Sequence, residues 1–204
     1  MAKPRITIID TGCANFTSVK SALDRLEANS RISSDLDDIR NADKLILPGV
    51  GTAKAAMSKL RERNLTEIIQ NSTQPLLGIC LGMQLLSRIS QEKMQEEEPD
   101  VECLNLVNAG VHHLNARNLR LPHMGWDQVE ILKDHPLFEG IDSGSYFYFV
   151  HSYAMDTGPW TLGKCEYGEA FTAVVGNGNF LGTQFHPEKS GAAGSRLLKN
   201  FLEM

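Results

Sequence analysis

Nothing in the 204 residues makes a broad basic field: Lys and Arg number 20 against 25 Asp and Glu, a formal net charge of −5. A polyanion would find little attraction, so nucleic acid is not the expected partner. Long apolar runs are also missing. None approaches the roughly 18 residues of a membrane span. The start, Met1-Ala2-Lys3-Pro4-Arg5, leads into a strand-like segment and not into the apolar stretch of a signal peptide. A cytoplasmic protein, away from membranes, is expected. Cysteines are few and scattered, at Cys13, Cys80, Cys103 and Cys165. Without a Cys-x-x-Cys pair, neither a zinc knuckle nor a disulfide framework is indicated. Internal repeats and long linkers are lacking too, so one domain over residues 1–204 is expected.

What is present reads as alternating strands and helices. Residues 6–10 form an apolar strand ending in Thr11-Gly12, and Phe16, Val19, Leu23 and Leu26 come next at helical spacing. A second buried strand at 45–47 stops at Pro48-Gly49-Val50-Gly51. Residues 53–71 read as helical, 76–80 as a third strand, and 83–86 as the start of another helix. The alternation predicts an α/β fold with a parallel sheet covered on both faces. The polar stretch 91–100 reads as an exposed loop. The second half favours strands, at 128–132, 146–150, 173–175 and 180–183, with a hairpin turn at Asn177-Gly178. A helix over 192–202 closes the chain.

The segment Gly78-Ile79-Cys80-Leu81-Gly82 places a cysteine between strand and helix, with a glycine two residues to either side. This is the cysteine form of a nucleophile elbow. Such a turn strains the nucleophile's backbone and leaves no room for side chains at Gly78 and Gly82. A helix N-terminus at Cys80 would favour thiolate, and the Leu81 N–H would face a developing oxyanion. A lone cysteine is as readily a buried core residue.

Far downstream stands Phe185-His186-Pro187-Glu188. Proline biases His186 towards an extended backbone, in which residues two apart point the same way. Glu188 would then hold the His186 imidazole, and His186 would take the Cys80 proton and return it to a departing amine. The pair of segments is far more specific than either alone. Glycines in Pro48-Gly49-Val50-Gly51 expose backbone N–H groups, making Val50 or Gly51 a candidate second oxyanion donor. His112-His113 is not expected to bind metal: adjacent strand positions point to opposite faces, and the sequence places no carboxylate or thiol to complete such a site.

On these segments the chain resembles the triad (class I) glutamine amidotransferases over essentially its whole length. The resemblance implies a flavodoxin-like three-layer α/β/α fold, its central sheet mostly parallel with extra antiparallel strands in the second half. It implies hydrolysis of L-glutamine to glutamate and ammonia through a Cys80 thioester, with no cofactor and no metal. Closer features are similar to the glutaminase subunits of imidazole glycerol phosphate synthase. They include Asp10-Thr11-Gly12-Cys13-Ala14-Asn15, Pro122-His123-Met124-Gly125-Trp126, Tyr148-Phe149-Val150-His151-Ser152-Tyr153 and His186-Pro187-Glu188-Lys189-Ser190. That likeness implies a heterodimer with a (β/α)8-barrel synthase (cyclase) subunit, which consumes the ammonia in histidine biosynthesis. It further implies that Gln84, Glu92, Ser152 and Tyr153 hold the substrate, Glu92 through its α-ammonium. Asn15, Trp126, Tyr148 and Lys189 would face the synthase subunit. A glutaminase serving another synthase, a cysteine peptidase on a similar scaffold and a non-catalytic subunit remain open at this point.

Overall fold

The computed structural model describes residues 3–12, 16–95 and 97–204. The first half alternates as its sequence indicates. In order come β1 (Arg5–Ile9), α1 (Phe16–Arg25), β2 (Asn29–Ser33), α2 (Leu36–Arg40), β3 (Lys44–Gly49), α3 (Ala53–Glu62), α4 (Leu65–Gln70), β4 (Leu76–Cys80) and α5 (Leu81–Gln84). The second half is mainly strands: β5 (Ile89–Ser90), β6 (Val101–Glu102), β7 (Gly110–His113), β8 (His123–Ile131), β9 (Ser145–His151), β10 (Tyr153–Met155), β11 (Thr161–Tyr167), β12 (Glu169–Asn177) and β13 (Phe180–Thr183). Helix α6 (Gly191–Glu203) ends the chain.

Strands β2, β1, β3, β4 and β13 lie side by side in that order, all parallel. Strand β12 then joins β13 antiparallel and leads to the second-half strands. Alternation along β3 explains the layers. Leu45 and Leu47 pack with Ala56, Leu60 and Ile69 of α3 and α4 on one face. Ile46, between them, packs with Val19 and Leu23 of α1 and Leu197 and Phe201 of α6 on the other. Helices therefore cover both faces of a sheet whose strands are apolar on both sides. Side-chain caps start two helices: Asp35 accepts from the N–H of Asp37 at 2.8 Å, and Thr52 from that of Ala55 at 3.3 Å.

Three local readings change. The helical stretch 53–71 is two helices, because Asn64 adopts the left-handed backbone (φ 56°) between α3 and α4. The helix expected from Met83 starts at Leu81 and lasts a single turn. Strand β2 was not expected: its sequence, Asn-Ser-Arg-Ile-Ser, is polar because it runs along the sheet edge.

Candidate active site

Parallel pairing assembles the site. Gly49, the last residue of β3, pairs with Cys80, the last of β4, while Thr183 of β13 pairs with Ile79. Three strands thus end together, and the segments that leave them converge at the carboxyl edge of the sheet: Val50-Gly51, Leu81, and Gln184 to Glu188. A cavity of about 250 Å³ opens there. Its walls include Val50, Gly51, Cys80, Leu81, Gln84 and Glu92 from the first half of the chain, and Ser152, Tyr153 and His186 from the second.

The elbow is strained as the glycine spacing requires. Cys80 has φ 53° and ψ −113°, a conformation that costs roughly 1–3 kcal/mol in a non-glycine residue. Gly78 and Gly82 are needed for space: a Cβ on Gly78 would lie 2.7 Å from the Gly82 carbonyl oxygen, and one on Gly82 only 1.8 Å from the Leu47 carbonyl oxygen. Leu81 is the first residue of α5, so its N–H has no partner inside the helix. The helix dipole expected to favour thiolate is weak, however. With four residues, α5 is one turn long and its dipole is small. Any polarisation of Cys80 therefore comes from the side chains around it.

His186 supplies part of it. The ring is 8% exposed, and its Nδ1 lies 2.9 Å from Glu188 Oε1. The expected placing of the two residues on one face of a strand is corrected. His186 is extended, but Pro187–Lys189 is a 3-10 turn, and it is the turn that brings the carboxylate back onto the ring. Burial pulls the imidazole pKa down, and hydrogen bonds to Cys80 and Glu188 outweigh it, raising the value from 6.5 to about 9. Ser18 Oγ donates to Glu188 Oε1 at 3.5 Å. Glu188 Oε2 is buried without a hydrogen-bond partner among the described residues.

This pKa sets a pH dependence. If the imidazolium gives the proton to the leaving amine, kcat/KM should fall as pH rises through about 9, where His186 loses it. Glu188→Gln removes a charge that favours imidazolium and should move this alkaline limb down by about one pH unit. A pH–rate profile of the two proteins checks it; an unmoved limb would separate Glu188 from the proton on His186.

Other walls of the cavity carry specific groups. Glu92 Oε2 accepts from the Ala53 N–H at 2.9 Å. Burial raises its pKa, and the Ala53 bond offsets this only in part. No Lys or Arg pairs with it among the described residues, so it is a carboxylate suited to an incoming cation. Gln84 is buried, its Nε2 donating to the Tyr153 carbonyl at 2.8 Å and to Gln184 Oε1 at 2.9 Å.

Two wall residues had no role in the sequence reading. One is Val150, whose carbonyl lies 3.9 Å from Cys80 Sγ. The other is His151, buried, with its Nδ1 2.8 Å from the Tyr153 carbonyl and its Nε2 3.0 Å from His123 Nδ1. The carbonyl fixes Nδ1 as the N–H. Burial pushes the His151 pKa down to about 3, so the ring is neutral and anchors the Tyr153 peptide.

Trp126 and Tyr148 pair across β8 and β9, with their rings 6.1 Å apart. Trp126, Met124 and Tyr146 are exposed there, as is Lys189 at the end of the Pro187–Lys189 turn. Asn15 and Cys13 lie outside the described residues. The reading of His112 is corrected: it does have carboxylates beside it. Asp156 Oδ1 sits 2.9 Å from its Nδ1 and Glu169 Oε1 2.9 Å from its Nε2. The Glu169 contact is a hydrogen bond and ties β7 to β12, whereas Nδ1 makes no hydrogen bond. Among the described residues no group of His, Cys, Asp and Glu is arranged to hold a metal ion, and no helix is long and apolar enough to cross a membrane.

The family model of class-I glutamine amidotransferases matches residues 7–204, which takes in all three segments that build the cavity. The chain belongs to that family. It is 53% identical over 204 residues to the imidazole glycerol phosphate synthase subunit HisH 1 of Vibrio vulnificus, with 100% of both chains aligned. It is 55% identical over 199 residues to the subunit HisH of Salmonella typhimurium, covering 98% of this chain and 99% of that one. A solved glutamine amidotransferase superposes with a TM-score of 0.72 at 20% identity over 97% of each chain, which establishes the fold alone. The peptidase and non-catalytic readings drop away with this membership.

Proposed function

We propose that the chain is the glutaminase subunit of imidazole glycerol phosphate synthase, acting as one domain, and that Cys80, His186 and Glu188 are its catalytic triad. The observation that carries this is the meeting of the elbow cysteine and the Glu188-bound imidazole in one cavity. Full-length likeness to HisH subunits supports the choice of synthase.

In this reading Cys80 thiolate attacks the side-chain amide carbon of glutamine. The amide oxygen becomes an oxyanion held by the Leu81 N–H and one N–H from Val50 or Gly51. His186 passes its proton to the nitrogen, the C–N bond breaks and ammonia leaves. Water, deprotonated by His186, hydrolyses the thioester and releases glutamate. Glu92 pairs with the substrate α-ammonium, Gln84 helps to hold the substrate, and Ser152 and Tyr153 contact its backbone end. Removing the charge in Glu92→Gln should raise the KM for glutamine roughly 10–100-fold with little change in kcat, as expected of a lost charged contact. A KM within twofold of the parent would place the ammonium elsewhere.

The ammonia passes to a (β/α)8-barrel synthase subunit in a heterodimer, which forms imidazole glycerol phosphate and an aminoimidazole carboxamide ribotide. Asn15, Trp126, Tyr148 and Lys189 are the proposed contacts, and the exposed Met124, Trp126 and Tyr146 give that face the apolar character of a docking surface. The oxyanion loop is the proposed switch. Gly51 (φ +87°) and Gly49 flank Val50, so its peptides can rotate and withdraw a donor. Glutamate release measured with and without the barrel subunit and its ligand tests both ideas. An increase of roughly 10²–10³-fold is expected if one donor is restored. Equal turnover in the two conditions would sink the switch, and absence of a complex would sink the partner.

A further inference from the structure

Gln184 is completely buried, between Thr183 and Phe185 as β13 ends. A buried amide needs partners for its oxygen and its nitrogen. The backbone N–H donates to the Ala173 carbonyl at 2.8 Å. The side chain reaches the other way, between Gln84 and Cys80.

Its orientation is fixed by one backbone carbonyl. Gln84 faces the Tyr153 carbonyl oxygen at 2.8 Å, and a carbonyl oxygen only accepts, so the facing atom is the Gln84 nitrogen. That same nitrogen lies 2.9 Å from Gln184, which must therefore present its oxygen. The Gln184 nitrogen is thereby turned to Cys80 Sγ, at 3.8 Å. A further polar neighbour of the sulfur, the Val150 carbonyl at 3.9 Å, can only accept. A neutral thiol can satisfy Val150. A thiolate has no hydrogen to offer it, and takes N–H bonds from Gln184 and His186. The amide dipole therefore favours the anion, through a bond that is charge-assisted only in that state.

We propose that Gln184 is a positioning residue for the nucleophile: its amide, oriented by Gln84 and the Tyr153 carbonyl, holds Cys80 Sγ in the thiolate form facing the cavity. This rests on the reading of Cys80 as the nucleophile. It gives Gln84 and Tyr153 a second task, because the groups that meet the substrate also hold the amide that steadies the sulfur. A one-turn α5 makes such a donor necessary, since the helix contributes little.

The test is the rate of Cys80 alkylation by iodoacetamide across roughly pH 5 to 10, located by peptide mass mapping, on the full chain and its variants. Gln184→Met keeps the length and removes the donor. Its alkylation midpoint should move up by about one pH unit, so that the rate at pH values below both midpoints is about tenfold lower. Its kcat should fall by a similar factor, with the KM for glutamine within about twofold. Gln184→Glu, which sets a carboxylate against the sulfur, should move the midpoint further. A folded Gln184→Met with the parent midpoint overturns the proposal. Should both Gln184 variants fail to fold, Gln84→Met leaves Gln184 in place but releases its amide. A smaller upward shift is then expected, and an unmoved midpoint overturns the proposal equally. Failure of the underlying reading is distinct: alkylation of Cys80 in the parent would leave glutamate release intact.

Discussion

Cys80→Ala and Cys80→Gly should both lose glutaminase activity by on the order of 10⁴–10⁶-fold, yet the glycine protein should be the more stable of the two. Loss of activity is due to the proposed thioester, which no other side chain lining the cavity can form so readily. Of the other described cysteines, Cys103 is buried with its pKa pushed up to about 11, and Cys165 is pushed higher still, so neither supplies a thiolate at neutral pH. The stability difference comes from the backbone. At φ 53° and ψ −113°, residue 80 occupies the mirror image of an extended conformation, which glycine adopts freely and alanine does not. Both variants lack the sulfur, so its contacts cancel in the comparison. Relief of strain, less the greater chain entropy of glycine, leaves roughly 1–2 kcal/mol in favour of Cys80→Gly. Urea unfolding of the pair measures it. Equal midpoints would mean that the elbow is unstrained. Retained glutamate release in either folded variant would remove Cys80 from the chemistry.

The elbow was legible in the sequence because its constraints are local. Strand, cysteine and one-turn helix lie within Leu76 to Gln84, and both glycines do what close approach demands. The meeting of Cys80 with His186 was legible for a different reason: two short segments, each ambiguous, were specific as a pair. The length of α5 was not legible. Met83, Leu85 and Leu86 are all fully buried, and burial on every side removes the periodicity that distinguishes a helix from an apolar coil. The geometry at Glu188 was read from the wrong element, since Pro187 begins a turn where a strand was inferred. Gln184 and His151 escaped notice because their roles depend on what faces them. Gln84 lies 100 residues from Gln184, and His123 lies 28 residues from His151. A polar amide inside a core strand was nonetheless a visible signal, because such a residue must find partners. The carboxylates beside His112 were hidden likewise, arriving from residues 156 and 169.

Gly82→Ala should be the most damaging glycine-to-alanine change in the chain. The new Cβ would lie 1.8 Å from the carbonyl oxygen and 2.8 Å from the carbonyl carbon of Leu47. These are backbone atoms of a central parallel strand, which pairs with β1 on one side and β4 on the other and cannot retreat alone. The only relief is to lift α5 away from β3, and α5 begins at the residue next to Cys80. Overpacking usually costs 1–3 kcal/mol, and a clash with immobile backbone should exceed about 3 kcal/mol. Any protein that folds despite it should have its Leu81 N–H and Cys80 Sγ displaced, with activity down by at least about 10²-fold. Gly51→Ala is the informative contrast. An added Cβ there meets nothing within 4 Å, but the backbone has φ +87°, so the cost is conformational, about 1–2 kcal/mol. One glycine is required by space and the other by its backbone angle. Denaturant midpoints separate them, and a Gly82→Ala protein as stable as Gly51→Ala would contradict the close packing of the elbow against β3.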